Sequence, residues 1–232
     1  MQNLKGTFIC IEGTDGSGKG TQAENLIKRL REDGYDVLHK QFPQYGKTLF
    51  GIEVGKFLNG DYGMLHPRVA SILYAGDRFQ AVKDIQSHLE QGGVVICDRY
   101  AASNIAYQCS RVPEDERVAL REWLYELEFG VFDIPRPDLT IFLDVPVDVS
   151  MQLVMLKSKR EYTEQKEDIF EQQRGLIEAA HCQYSWMAEH LNGWERVNCM
   201  QHPTIHTLDT LKSPEVIADN VVAVVRNYSL RH

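Results

Sequence analysis

The sequence predicts an α/β protein, a three-layer sandwich in which a five-stranded parallel sheet is covered by helices on both faces. Three observations lead there. Short, almost continuously apolar runs alternate with longer amphipathic segments, the pattern of strands buried on both sides between helices. A glycine-rich loop stands between the first apolar run and the first amphipathic segment, a context in which such loops bind phosphate. The composition, 43% hydrophobic and 25% charged, is that of a folded chain and not of a disordered one. Its 232 residues suit one domain spanning 1–232. A chain of that length buries about 70% of its unfolded surface, so it needs no disulfide or structural metal.

Each element has its own signal. Thr7–Glu12, TFICIE, is a short apolar strand. Lys19–Asp33 is helical, with Ala23, Leu26, Ile27 and Leu30 on one face, and Gly34 stops it. Tyr35–Lys40 is a second strand. Thr48–Leu58 is a short helix closed by Asn59-Gly60. Pro67 opens a long helix that runs to Gln91 and ends at Gly92-Gly93. Val94–Asp98, VVICD, is a buried strand, and Ser103 beyond it is expected in a loop. Glu114–Glu128 is helical. Pro135 and Pro137 then break the chain before the strand Leu139–Asp144. Helix returns from Val147 to about Lys159 and again from about Ile169 to Leu191. Trp194–Cys199 is the fifth strand and Pro214–Tyr228 the closing helix. Sheets of this kind bind ligands outside the carboxyl ends of their strands.

The net charge of −8 argues against a protein whose whole surface grips nucleic acid or anionic lipid, while leaving room for a local basic pocket. Neither a secretory signal nor an apolar run long enough to span a membrane is visible. Five scattered cysteines without a C-x-x-C pair fit reduced thiols, hence a cytoplasmic protein. The eight histidines show no compact ligand spacing, so a zinc site is not expected.

The strongest chemical signal is Gly13-Thr14-Asp15-Gly16-Ser17-Gly18-Lys19-Gly20-Thr21. Glycines let backbone N–H groups turn inward around phosphate oxygens, and the following helix start adds positive potential. Gly13, Gly16, Ser17, Gly18, Lys19, Gly20 and Thr21 are the expected phosphate-binding set. Lys19 supplies a mobile charge for the β- and γ-phosphates. The usual Ser or Thr after the lysine is replaced by Gly20, and Thr21 comes next. The bland alternative is a glycine-rich turn carrying a solvent-exposed lysine.

GKGT in place of GK-Ser/Thr is similar to the nucleoside monophosphate kinases. The rest resembles the thymidylate kinase family among them. Glu12-Gly13-Thr14-Asp15-Gly16-Ser17-Gly18-Lys19 resembles its E-G-x-D-G-x-G-K. Asp98-Arg99-Tyr100-Ala101-Ala102-Ser103, followed by Ala106-Tyr107-Gln108, resembles its D-R-Y-x-x-S…A-Y-Q. Phe42-Pro43 with Gly55-Lys56-Phe57-Leu58, and Leu143-Asp144-Val145-Pro146, are further similarities. The resemblance reaches about Leu191.

It implies transfer of the ATP γ-phosphoryl group to dTMP with Mg2+ present, the two phosphates being brought together by cations. Another deoxynucleoside monophosphate as acceptor, or a catalytically weak nucleotide-binding module, is the alternative. Lys19, Asp15, Arg99 and Arg160 are the implied catalytic residues. Asp98 is the implied metal residue, held through water at the sheet edge, and Arg99 forks onto the acceptor phosphate. An ordinary Asp–Arg pair at a strand end is the plain alternative, and loop capping is the plain alternative for Asp15. The acceptor nucleotide is expected among Asp15, Tyr74, Arg78, Arg99, Ser103, Tyr107 and Gln108. Arg78 matches the arginine at the base edge and Tyr74 stands near the stacking position. Tyr107 matches the ring that crowds the sugar 2′ position. Phe79 is a base neighbour or a core residue.

Two departures stand out. The family's arginine before the Phe-Pro turn is Gln41 here, with Lys40 one place earlier. Either Lys40 replaces it or the acceptor site is altered. The phosphate loop carries no arginine, so a lid at about 157–168 is expected to supply charge, Arg160 first and Lys157 second. An exposed charged helix end is the alternative there. The resemblance also implies a homodimer formed through the long helix from Pro67.

Overall fold

The computed structural model describes residues 6–158 and 167–229, apart from the side chains of residues 157, 158, 167–173 and 229. Among the described residues the sheet has five strands, all parallel: β1 (Thr7–Glu12), β2 (Val37–Gln41), β3 (Val94–Asp98), β4 (Leu139–Asp144) and β5 (Trp194–Asn198), in the order β2-β3-β1-β4-β5. Parallel pairing requires crossovers, and these are helical. In chain order the helices are α1 (Lys19–Glu32), α2 (Leu49–Leu58), α3 (Pro67–Phe79), α4 (Val82–Glu90), α5 (Ala101–Cys109), α6 (Arg117–Glu126), α7 (Val147–Ser158), α8 (Glu167–His190) and, after the last strand, α9 (Pro214–Ser229). No helix among the described residues is long and apolar enough to cross a membrane.

Strand alternation divides the core in two. Ile9, Ile11, Ile141 and Leu143 face Ala23 and Leu26 of α1 and Val221 and Val225 of α9. Phe8, Cys10 and Cys97 face Ile85 and Leu89 of α4. On that second side Phe142 packs with Ile105 of α5, Leu124 of α6 and Tyr184 of α8. All these side chains are buried, so the expected three-layer sandwich is present.

Two expectations are corrected. The helix from Pro67 to Gln91 is two helices, α3 and α4, broken at Gln80-Ala81. No proline or glycine marks the break. Gln80 instead accepts a hydrogen bond from the Phe50 N–H through its side chain, at 2.9 Å. The break lets α3 present Asp77 and Arg78 to the loop after β2 and the helices beyond it, while α4 turns Ile85 and Leu89 onto the sheet. The second correction concerns Ser103, expected in a loop, which lies in the helix α5, Ala101–Cys109. Ala101, Ile105 and Cys109 recur at the helical spacing of four and are buried, and the helix is stabilised by burial against α3, α6 and α8.

Phe142 is fully buried and stacks on Tyr184 with centroids 5.5 Å apart. Truncating a buried phenylalanine removes its transfer free energy and leaves a cavity. Phe142→Ala should lower the unfolding free energy by about 3–5 kcal/mol, read as a shifted urea midpoint at unchanged slope.

Candidate active site

The carboxyl ends of β1 and β3 form the floor of the site. After β1 the chain enters the phosphate loop, where Gly13, Gly16 and Gly18 have φ of 152°, 82° and 81°. At Gly16 any side chain is excluded twice: by that left-handed backbone, and by Ser150 O, which an added Cβ would meet at 2.2 Å. Gly18 leads directly into α1, whose first turn carries no acidic residue, so its amide dipoles are open to an anion. Lys19 is buried; its Nζ donates to Thr14 O at 2.6 Å and reaches Ser17 Oγ at 3.5 Å. Burial, reinforced by the Arg99 charge, brings the Lys19 amine down to about 7, against the pull of Asp15, Asp98 and Glu12. A Cβ added at Gly20 would lie 3.3 Å from Asp98 Oδ2. The departure from the usual Ser or Thr therefore sits where β3 delivers its carboxylate.

β3 delivers Asp98 and Arg99. Asp98 is in register with Ile11 of β1 and Gln41 of β2. Gln41 Nε2 approaches Asp98 Oδ2 at 3.4 Å, while Asp98 Oδ1 is buried with no hydrogen-bond partner among the described residues. Arg99 has φ 65°, a backbone state that an arginine adopts only when its surroundings impose it. Its guanidinium pairs with Asp15, donates to Ser103 Oγ at 3.0 Å and reaches Gly13 O at 3.5 Å. Tyr107 OH donates to Asp15 Oδ2 at 2.9 Å. Burial pushes the Asp15 carboxyl up, but the Arg99 and Lys19 charges outweigh it and hold it below the usual carboxylate range.

Beside this cluster opens a cavity of about 480 Å³, a size that suits a small organic ligand. Asp15, Tyr74, Arg78, Arg99, Ser103, Tyr107 and Gln108 all line it, so the fold gathers these seven around one space. Arg78 is buried and gives its Nε, at 2.9 Å, and Nη2 to Glu128. Tyr74 meets Phe57 edge to face at 6.5 Å. Gln108 accepts from Arg111 at 2.8 Å.

Phe79 is placed elsewhere. One residue on from Arg78 it points about 100° around the helix, is half-exposed, and packs on Phe132. Lys40 is turned away from Gln41, as strand alternation requires, and pairs with Asp84 of α4 at 2.7 Å. Thr21 is exposed on α1. Arg160 lies outside the described residues, as does the side chain of Lys157 and most of the 157–168 segment.

Several residues of the site had no reading in the sequence. Tyr45, Met64, Asn104 and Arg111 also line the cavity. Asn104 directly follows Ser103, and the helical spacing of Asn104 with Tyr107, Gln108 and Arg111 is a usable signal once α5 is recognised. Glu128, which holds Arg78 and accepts from Asn104 Nδ2 at 2.7 Å, follows α6 and had no signal at all.

Comparison with known proteins follows the same outline. The sequence model of a family described as thymidylate kinase matches residues 11–192. A protein of Pyrococcus abyssi named probable thymidylate kinase is 32% identical over 228 residues, covering 97% of this chain and 98% of its own length. One of Halothermothrix orenii named thymidylate kinase is 40% identical over 152 residues, covering 64% of this chain and 69% of its own. One of Mycobacterium tuberculosis with the same name is 36% identical over 145 residues, 62% of this chain and 68% of its own.

The state of Lys19 makes a test of the loop. With its amine at about 7, the free protein holds it mostly neutral at pH 8, and triphosphate oxygens beside it favour the charged form. ATP binding at pH 8 should therefore take up a proton, and the uptake should fade toward pH 6, where the amine is already charged. Titration calorimetry in buffers of different ionisation enthalpy measures it; proton release at pH 8 would contradict the assignment.

Proposed function

The chain belongs to the thymidylate kinase family, and from that premise we infer that it transfers the γ-phosphoryl group of ATP to dTMP, giving dTDP and ADP. One observation carries the residue assignments: the phosphate loop and the lined cavity meet at the Arg99–Asp15 contact. A donor on the loop and an acceptor in the cavity then face each other end to end. The acceptor phosphate is already anionic near pH 7, so no general base is called for. The work is charge neutralisation and alignment.

ATP places its phosphates on the amides of Gly13–Lys19 and the start of α1. Lys19 leaves Thr14 O to meet the β- and γ-oxygens. Arg99, already aimed by Asp15 and Ser103, forks onto the acceptor phosphate. Arg78 keeps the part of its guanidinium not used by Glu128 for the base edge, and Gln108 lies beside it. Tyr107, tied to Asp15 through its hydroxyl, crowds the sugar and favours the deoxy form. Arg160 is the lid residue assigned to the transferred group, with Lys157 second.

Mg2+ fits the same arrangement. Asp98 Oδ1 is buried and lacks a partner among the described residues, at the strand end beside Gly20. A hard cation held mainly through phosphate oxygens and water suits such a lone carboxylate. Asp98 would hold it, and the ion when bound would neutralise charge between the two nucleotides.

A homodimer is part of this reading. Val69 and Ile72 of α3, Leu49 and Ile52 of α2 and Val118 of α6 are exposed apolar residues on helices that touch one another, and burying them against a second copy supports this reading. Sedimentation equilibrium should give twice the chain mass, and Ile72→Glu should give the monomer.

Turnover with dTMP, dUMP, dGMP, dCMP and AMP, followed by ADP release, tests the acceptor. The highest kcat/KM is expected for dTMP. Gln41 at the position of the family arginine is the observation that favours a different monophosphate, and a better acceptor than dTMP would establish it. Lys19→Ala and Arg99→Ala should each lower kcat/KM at least about 100-fold with helicity retained. Near-native turnover in both would refute their roles.

A further inference from the structure

Glu12 ends β1 and is fully buried, yet neither nucleotide needs it. A buried carboxylate is costly unless its oxygens are filled, and these are. Oε1 accepts the backbone N–H of Tyr100 at 2.7 Å and of Ser103 at 3.2 Å. Oε2 accepts Ser103 Oγ at 2.7 Å and Tyr184 OH at 3.0 Å. Tyr100 and Ser103 are the cap and third residue of α5, whose own cap side chain makes no capping bond. Glu12 thus caps α5 from another strand, meeting amides that a helix start leaves unpaired.

Arg99 lies immediately before that cap. Its N–H is held by Ile11 O at 3.1 Å, its backbone is left-handed, and its guanidinium donates to Ser103 Oγ. The Ser103 hydroxyl gives its proton to Glu12, so Oγ is left as an acceptor for Arg99, with Tyr184 OH also 2.8 Å from it.

We propose that Glu12 is a positioning residue: through Ser103 and the first turn of α5 it holds Arg99 in the conformation that meets the acceptor phosphate. Tyr184 extends the connection to α8, so two neighbouring helices of one layer converge on one carboxylate. The proposal rests on Arg99 as the acceptor-phosphate ligand. Burial pushes the Glu12 carboxyl above the usual carboxylate range, against the pull of Ser103 and Arg99.

Glu12→Gln is the discriminating change. One amide oxygen can still cap α5, but the amide NH2 would donate to Ser103 Oγ and face the Tyr184 hydroxyl, whose proton then turns to Ser103 Oγ at 2.8 Å; the two lone pairs of Oγ are filled without Arg99. We expect kcat/KM for dTMP to fall about 10- to 100-fold while KM for ATP stays within about threefold. A crystal structure of Glu12→Gln should show the Arg99–Ser103 bond lost. In a Ser103→Ala background the same change should cost less than about threefold more, because the link is already cut. Equal losses in both backgrounds, or an Arg99 unchanged in the variant crystal, overturn the proposal. Tyr184→Phe guards against a Glu12→Gln that does not fold: it removes one donor and should lower kcat/KM for dTMP about 3- to 10-fold with ATP KM unmoved, and unaltered dTMP kinetics count against the idea. Failure of the wild-type protein to phosphorylate dTMP would instead strike the acceptor assignment, and the Arg99 geometry in the variant crystal still decides the role of Glu12.

Discussion

Parallel pairing of β1 with β3 is the constraint from which the site follows. Their register sets Ile11 opposite Asp98, so the chain leaves both strands at the same height and on the same edge. Glu12 and the phosphate loop then emerge beside Asp98 and Arg99. A slip of one residue would turn every side chain of the moving strand to the other face, separating Glu12 from Ser103 and Asp15 from Arg99. The apolar residues that lock the register, Ile9 and Ile96 on one side and Cys10 and Cys97 on the other, are thus part of the catalytic arrangement without touching a nucleotide.

Charge is placed with the same economy of position. The protein as a whole is acidic, with a net charge of −8, yet its site gathers Lys19, Arg78 and Arg99, each largely buried. Arg78 is fixed by Glu128 and Arg99 by Asp15; Lys19 rests on a carbonyl. A cation held by neighbours before substrate arrives loses little conformational freedom on binding, and in a site screened from water its field acts at full strength. The difference in partners has a chemical meaning. A guanidinium paired with a carboxylate stays charged, whereas the buried Lys19 amine, resting on neutral oxygens, is close to giving up its proton.

The departures from the family pattern are local and have local causes. Gly20 stands against Asp98 Oδ2, so the place usually held by a hydroxyl side chain is shared with the β3 carboxylate. Gln41 approaches that same oxygen, while Lys40 is spent on Asp84. Adjacent residues of a strand face opposite ways, so Lys40 has no route into the position that Gln41 occupies.

Much of this was legible in the residues themselves. Apolar runs marked β1, β3 and β4 to their end residues because a strand buried on both faces admits almost no polar side chain. The phosphate loop was legible because its backbone demands glycine, and the cavity residues Tyr74, Arg78, Ser103, Tyr107 and Gln108 were legible through motif resemblance. Tertiary structure alone decided the rest. The break between α3 and α4 answers to Phe50 and the sheet, α5 is capped by Glu12, and Arg78 is held by Glu128. Each of these depends on a partner distant in the chain, and a contact between distant residues leaves no periodicity or spacing in the sequence that could announce it.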